Sequence, residues 1–136
     1  MLLKENTIFF DKEILGMSDS IQIFNMKLAP SPYAMIASGQ KTIELRLLDE
    51  KRRQIKEGDI IVFTHSFTGD SVTAKVLKLH KFKSFMELYQ SLPLLKCGYT
   101  EEDIDTANYN DMNVYYSYKE QEKYGVVGIE IALIDE

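Results

Sequence analysis

The chain has 136 residues, 45% hydrophobic and 27% charged, with a formal net charge of −5. That length fits one domain able to bury about two-thirds of its extended surface without staples, and the composition is that of an ordinary soluble protein. The acidic balance argues against a protein held to nucleic acid by bulk electrostatics, the single cysteine against an intrachain disulfide framework or paired-cysteine zinc site, and the lack of a ~20-residue apolar run against a membrane span.

The first 20 residues are mixed in character, and MLLKENTIFFDKEILG lacks the long apolar core and small-residue cleavage site of a signal peptide. A cytoplasmic location follows as the expectation, with Cys97 a reduced, buried thiol. From Ile21, IQIFNMKL alternates loosely and predicts a first strand. Ser31 is placed to cap a short helix, with Pro32 at its first position and Tyr33, Met35 and Ile36 as its apolar face. Gly39 is placed to end it in the left-handed conformation.

Next, TIELRLL alternates: Ile43, Leu45 and Leu47 on one side, Thr42, Glu44 and Arg46 on the other. This predicts a half-buried strand with a carboxylate and a guanidinium two residues apart on its polar face. The basic turn DEKRRQIKEGD leads through Gly58-Asp59 into a second strand, from about Asp59 to His65, and Thr68-Gly69-Asp70 is a hairpin signal.

SVTAKVLKLHKFK predicts the return strand, in which Lys75 and Lys78 share a face only through a bulge. Ser84 and Glu87 form an S-x-x-E capping box ahead of a helix with Phe85, Leu88, Tyr89 and Leu92 inward and Pro93 at its end. Thr100 and Asp103 suggest another capped turn, and Ser117 with Glu120 repeats the box. VVGIEIALI closes the chain as an apolar strand whose Gly128 marks a bulge or a close backbone approach. Strands separated by short helices, without regular βαβ alternation, give a mixed α+β class: a mostly antiparallel closed sheet with peripheral helices.

GQKTIELRL, the basic turn and EGDIIVF together resemble the signature of the ASCH domain family. The likeness continues through VTAKVLKLHKFKSFMELYQSLP and YSYKEQEKYGVVGIEI, roughly Ile21 to Leu133. The resemblance implies a PUA-like β-barrel with short peripheral helices, formed by residues 21–136, with residues 1–20 an extension packed on it. It also implies RNA or a nucleotide-like small molecule as the partner. One branch of the family consists of small amidohydrolases acting on acetylated cytidine.

Lys41, Thr42, Glu44 and Arg46 are the best candidate site, at the floor of a cleft where Lys41 or Arg46 grips a phosphate or base edge. The plainer alternative is an exposed Glu44–Arg46 ion pair worth well under ~1 kcal/mol. Arg52 and Arg53 on the basic turn are candidates for tracking a nucleic-acid backbone, and Tyr116 and Ser117 for flanking the cleft. Lys78, His80, Lys81, Phe82 and Lys83 mix basic and aromatic residues, as single-strand binding surfaces do.

The amidohydrolase branch carries a K-x-x-T-x-R motif in which Lys and Thr act together. Here Lys41 and Arg46 match, but Glu44 stands in the threonine's place. An enzyme of this sequence is therefore expected to be a small amidohydrolase or a ribonuclease-like hydrolase acting on modified cytidine or RNA, with Glu44 as general base beside Lys41 and not a threonine nucleophile. A third alternative is a protein–protein adaptor. Its motive is charge asymmetry: ten Lys and Arg against six acids between residues 40 and 83, and ten acids against two lysines from residue 101 onward. No cofactor or metal is expected, since His65 and His80 have no partners at ligand spacing.

Overall fold

The computed structural model describes residues 20–134. Its elements in order are β1 (Ile23–Leu28), α1 (Pro30–Ala37), β2 (Ile43–Leu47), β3 (Ile60–His65), β4 (Ser71–Phe82), α2 (Phe85–Ser91), α3 (Tyr118–Tyr124) and β5 (Val126–Leu133). Single-turn and two-turn 3₁₀ segments fill the connections at Arg52–Gln54, Leu94–Lys96, Ile104–Thr106 and Tyr109–Val114. The expectation about residues 1–20 falls almost wholly outside the described residues.

One five-stranded sheet runs β1-β3-β4-β5-β2. β1 lies parallel to β3, and the other three pairs are antiparallel. The result is the expected α+β, mostly antiparallel PUA-like barrel with peripheral short helices, in the form of a half-barrel. β1 and β2 are its two ends, joined by side chains instead of a ladder. Arg46 Nη2 donates to the Lys27 carbonyl at 3.3 Å, and Lys51 Nζ donates to the Asn25 carbonyl at 2.8 Å. Alternate carbonyls on the outer edge of β1 are thus covered by cations, one of the ways a protein blunts an unpaired strand edge.

Two apolar clusters hold the sheet. Met26, Ile36, Ile61, Phe63, Val76 and Ile129 belong to the larger one, with α1 folded over it. Ile43, Leu45, Leu47, Phe85, Leu88 and Val126 belong to the second, which packs α2 and the Tyr109–Val114 segment against the opposite face of β2 and β5. β5 is therefore covered on both faces, which accounts for its near-continuous apolar run. Gly128 keeps its ladder register without a bulge and is the predicted close approach: a Cβ there would lie 2.7 Å from Leu92 Cδ1 and 3.1 Å from Ile43 Cγ2.

The bulge expected in β4 is present, as a register shift between Val76 and Lys78. Gly39, Gly58 and Gly69 all take positive φ, so the helix end and both turns form where expected. Ser117 and Glu120 make both halves of the capping box. Ser84 accepts from the Glu87 amide as expected, but Glu87 Oε1 reaches back to the amide of Lys83 instead of Ser84.

Two local expectations are corrected. Helix α1 begins at Pro30, with Ala29 as its uncapped N-cap, so Ser31 lies inside the first turn. The restricted φ of Pro30 fits it for the first helical position, ahead of Pro32. The polar side of β2 is not half-exposed either, because Glu44 is only 4% exposed. The turn at Thr100 is capped as expected: Thr100 Oγ1 accepts the Glu102 amide at 3.3 Å, and Asp103 Oδ1 accepts the Thr100 amide at 2.6 Å.

No helix among the described residues is long and apolar enough to cross a membrane.

Candidate functional site

The burial of Glu44 follows from strand pairing. Glu44 stands opposite Ile129, and Arg46 opposite Val127. Residues directly opposed in a ladder share a face, so the polar side of β2 looks the same way as residues of the larger apolar cluster. A carboxylate placed there needs charged partners close by. Arg46 Nε donates to Glu44 Oε2 at 2.7 Å, and Lys41 Nζ lies 2.8 Å from Oε1.

Burial by itself raises the Glu44 carboxyl, but the two adjacent cations outweigh it and hold the group below its ordinary value. Burial likewise disfavours the Arg46 guanidinium, and the Glu44 carboxylate more than restores it. The exposed surface pair considered as the plainer alternative is thus replaced by a buried Lys–Glu–Arg triad.

This triad floors a cleft of about 600 Å³, within the range of small-ligand sites. One wall is the end of β1 and the start of α1, through Lys27, Leu28, Pro32 and Met35. The other comes from far along the chain, through Tyr89, Cys97, Tyr99, Asp111, Tyr115 and Tyr116. The segment after α2 closes over Lys41, since a Cβ on Gly98 would touch the Lys41 side chain at 3.5–3.6 Å, and Gly98 itself takes φ +115°. Tyr116 stacks on Phe85 with centroids 6.2 Å apart, and burial raises its phenol above the ordinary value.

A hydroxyl relay lines the far wall: Tyr89 and Tyr99 hydroxyls lie 2.7 Å apart, and Tyr99 donates to Asp111 Oδ2 at 2.7 Å. Cys97, buried as expected, has its thiol pushed up to about 11 by burial, so it is a poor nucleophile at neutral pH.

Of the residues singled out from the sequence, Lys41, Glu44, Arg46 and Tyr116 meet in this cleft. Thr42 does not line it; its amide donates to the Lys96 carbonyl and its carbonyl accepts from Ile131, which extends the ladder. Arg52 is turned to Asp49 at 3.1 Å, and Arg53 Nη2 donates to the Tyr124 carbonyl at 3.0 Å, so both tie the basic turn down outside the cleft. Ser117 is occupied as the cap of α3. His80 pairs with Glu130 at 2.8 Å, Phe82 packs on the second cluster, and His65 Nδ1 accepts the Phe67 and Thr68 amides at the hairpin.

The far-wall residues had no local signal beyond the clustering of Tyr115, Tyr116 and Tyr118. Lys27 stood unmarked in a strand.

The arrangement suits binding better than proton transfer. A carboxylate held ionised between two cations is a weak base, and the Thr42 hydroxyl lies off the cleft.

Hypothetical protein PH0355 is 34% identical over 83% of this chain and all of its own, with a TM-score of 0.69. Protein PF0455 from Pyrococcus furiosus is 32% identical over 85% of this chain and all of its own, with a TM-score of 0.61. ASCH from Zymomonas mobilis, at 19% identity over 82% of this chain and 66% of its own, shares the fold with a TM-score of 0.52. No curated protein matches the chain. The family model described as ASCH domain matches residues 26–135. The chain belongs to the ASCH domain family.

Proposed function

We propose that this ASCH domain binds RNA or a nucleotide-like small molecule in the cleft floored by Lys41, Glu44 and Arg46. The observation that carries the reading is the buried triad itself: two cations share one carboxylate at the bottom of an open, tyrosine-rimmed cleft. A base edge finds fixed donors and an acceptor there, a phosphate finds Lys27 and Arg46, and an aromatic base finds rings to stack on. The cleft's size and its mixture of charges favour one or two nucleotides over a long backbone-tracking groove.

The test is titration of short single-stranded RNAs and of mononucleotides against the native protein, Lys27→Ala and Tyr115→Ala, beside a chromatographic turnover screen with N4-acylated cytidines. Both residues are exposed and belong to the cleft lining, and Tyr115 is 70% exposed, so the fold tolerates the loss of either side chain. Each variant is expected to weaken binding several-fold, with no product in the screen. Affinity unchanged in both variants removes the cleft from the reading. Product formation establishes a hydrolase instead.

A further inference from the structure

Contacts order the charged lining of the cleft from Lys27 through Arg46, Glu44 and Lys41 to Tyr99 and Asp111. At one end Arg46 reaches the carbonyl of Lys27, an exposed residue on the cleft lining. At the other end Lys41 packs beside Gly98, whose neighbour Tyr99 donates to Asp111. Glu44 is shared between Lys41 and Arg46, while Asp103 and Asp111 stand on the lining with no cation paired to either among the described residues. Asp111 accepts Tyr99 and the Asn108 amide through Oδ2, at 2.7 and 3.1 Å, leaving Oδ1 without a protein donor. Asp103 accepts the Thr100 amide and hydroxyl through Oδ1, at 2.6 and 3.1 Å, leaving Oδ2 likewise. Each carboxylate is therefore anchored by one oxygen and has the other available as an acceptor.

A ligand complementary to this field carries its negative charge at the Lys27–Arg46 end and hydrogen-bond donors at the Asp103–Asp111 end. We propose that the cleft selects nucleotides whose base bears an exocyclic amine, with the phosphate at Lys27 and Arg46 and the amine on the open oxygens of Asp103 and Asp111. This rests on the nucleotide-binding reading above. Adenine, cytosine and guanine each present an amine donor to a carboxylate. Uracil and hypoxanthine replace the amine of cytosine and adenine with a carbonyl, whose lone pairs face the carboxylates and are repelled. The exposed Tyr115, on the cleft lining, offers a ring for stacking.

Calorimetric titration with two matched pairs tests this: cytidine against uridine monophosphate, and adenosine against inosine monophosphate. In the native protein the amine-bearing member of each pair binds at least about tenfold tighter. In the Asp103→Asn, Asp111→Asn double variant, which keeps an acceptor oxygen for Thr100 and Tyr99, the ratio falls to about one. A second arm uses 5′-phosphorylated cytidine and uridine trinucleotides. The preference in mononucleotides assigns a free nucleotide, and the preference confined to trinucleotides assigns RNA. Equal affinities within both pairs and between the trinucleotides overturn the selection while leaving nucleotide binding intact, as does a preference that survives the double variant. Absence of binding by every probe overturns both readings.

Discussion

Arg46 donates to Glu44 Oε2 at 2.7 Å through Nε and to the Lys27 carbonyl at 3.3 Å through Nη2. One guanidinium thus neutralises the buried carboxylate and spans the opening of the half-barrel, at the place where the cleft begins. Arg46→Lys loses the planar fork that makes both contacts, and Arg46→Ala leaves Glu44 with Lys41 alone. Breaking a buried ion pair by removing one partner costs roughly 3–5 kcal/mol. Because Lys41 remains, Arg46→Ala is expected to cost about 2–4 kcal/mol in urea unfolding. A loss under about 0.5 kcal/mol, the scale of a surface pair, would mean that the triad is solvated.

The same triad sets an acid limit. The Glu44 carboxyl is held below its ordinary value in the folded chain. Its stabilising contribution is therefore complete above the unfolded carboxyl pKa of about 4.3 and is lost as pH falls through the lower folded value. Glu44→Gln removes this dependence while lowering stability at neutral pH, because Lys41 and Arg46 lose their counter-charge. Unfolding midpoints measured from pH 7 to pH 3 should fall more steeply for the native chain than for the variant. Parallel curves would show that another carboxylate controls the acid limb.

Cys97 titrates in the opposite sense. With its thiol pushed by burial from an ordinary value of 9.0 up to about 11, the folded chain keeps the proton where the unfolded chain loses it. The associated stability is complete below the unfolded value and disappears as pH rises through the folded one. At pH 8 the thiolate fraction is reduced about a hundredfold, so iodoacetamide should alkylate Cys97 at least about that much more slowly than free cysteine. A rate close to that of the free amino acid would place the thiol in open solvent.

Gly128 and Leu92 form a coupled pair. A methyl at Gly128 meets Leu92 Cδ1 at 2.7 Å, and this is the end of a flexible side chain. Gly128→Ala should cost about 1–3 kcal/mol through overpacking. Combined with Leu92→Ala, the added methyl enters space that the leucine leaves, so the double variant should be more stable than the sum of single effects predicts. Strict additivity in a denaturation cycle would mean that β5 shifts as a whole and that Leu92 is not the obstacle.

Ser117 separates capping from binding. Its hydroxyl accepts the Glu120 amide at 3.1 Å, and Glu120 Oε1 accepts the Ser117 amide at 3.1 Å. Ser117→Ala should lower stability by about 1 kcal/mol and leave nucleotide titrations unchanged. A selective loss of affinity at unaltered stability would return Ser117 to the binding site.

Local chemistry in the sequence determined most of the fold. Alternation fixed which residues of β2 and β4 share a side and allowed Lys75 and Lys78 to share one only through a bulge, and glycines at positions 39, 58 and 69 set the turns. Serine caps marked α2 and α3, and KTIELR marked the floor of the cleft.

What alternation could not decide is what covers each side of a strand, because period two assigns faces and not neighbours. Only the pairing of β2 with β5 put Glu44 beside Ile129 and turned a surface ion pair into a buried triad. Only the fold of residues 97–116 back over β2 brought Tyr99, Asp103 and Asp111 into the same cleft as Lys27. The polarity of the site is a property of contacts across tens of residues, and it exists only in the tertiary structure.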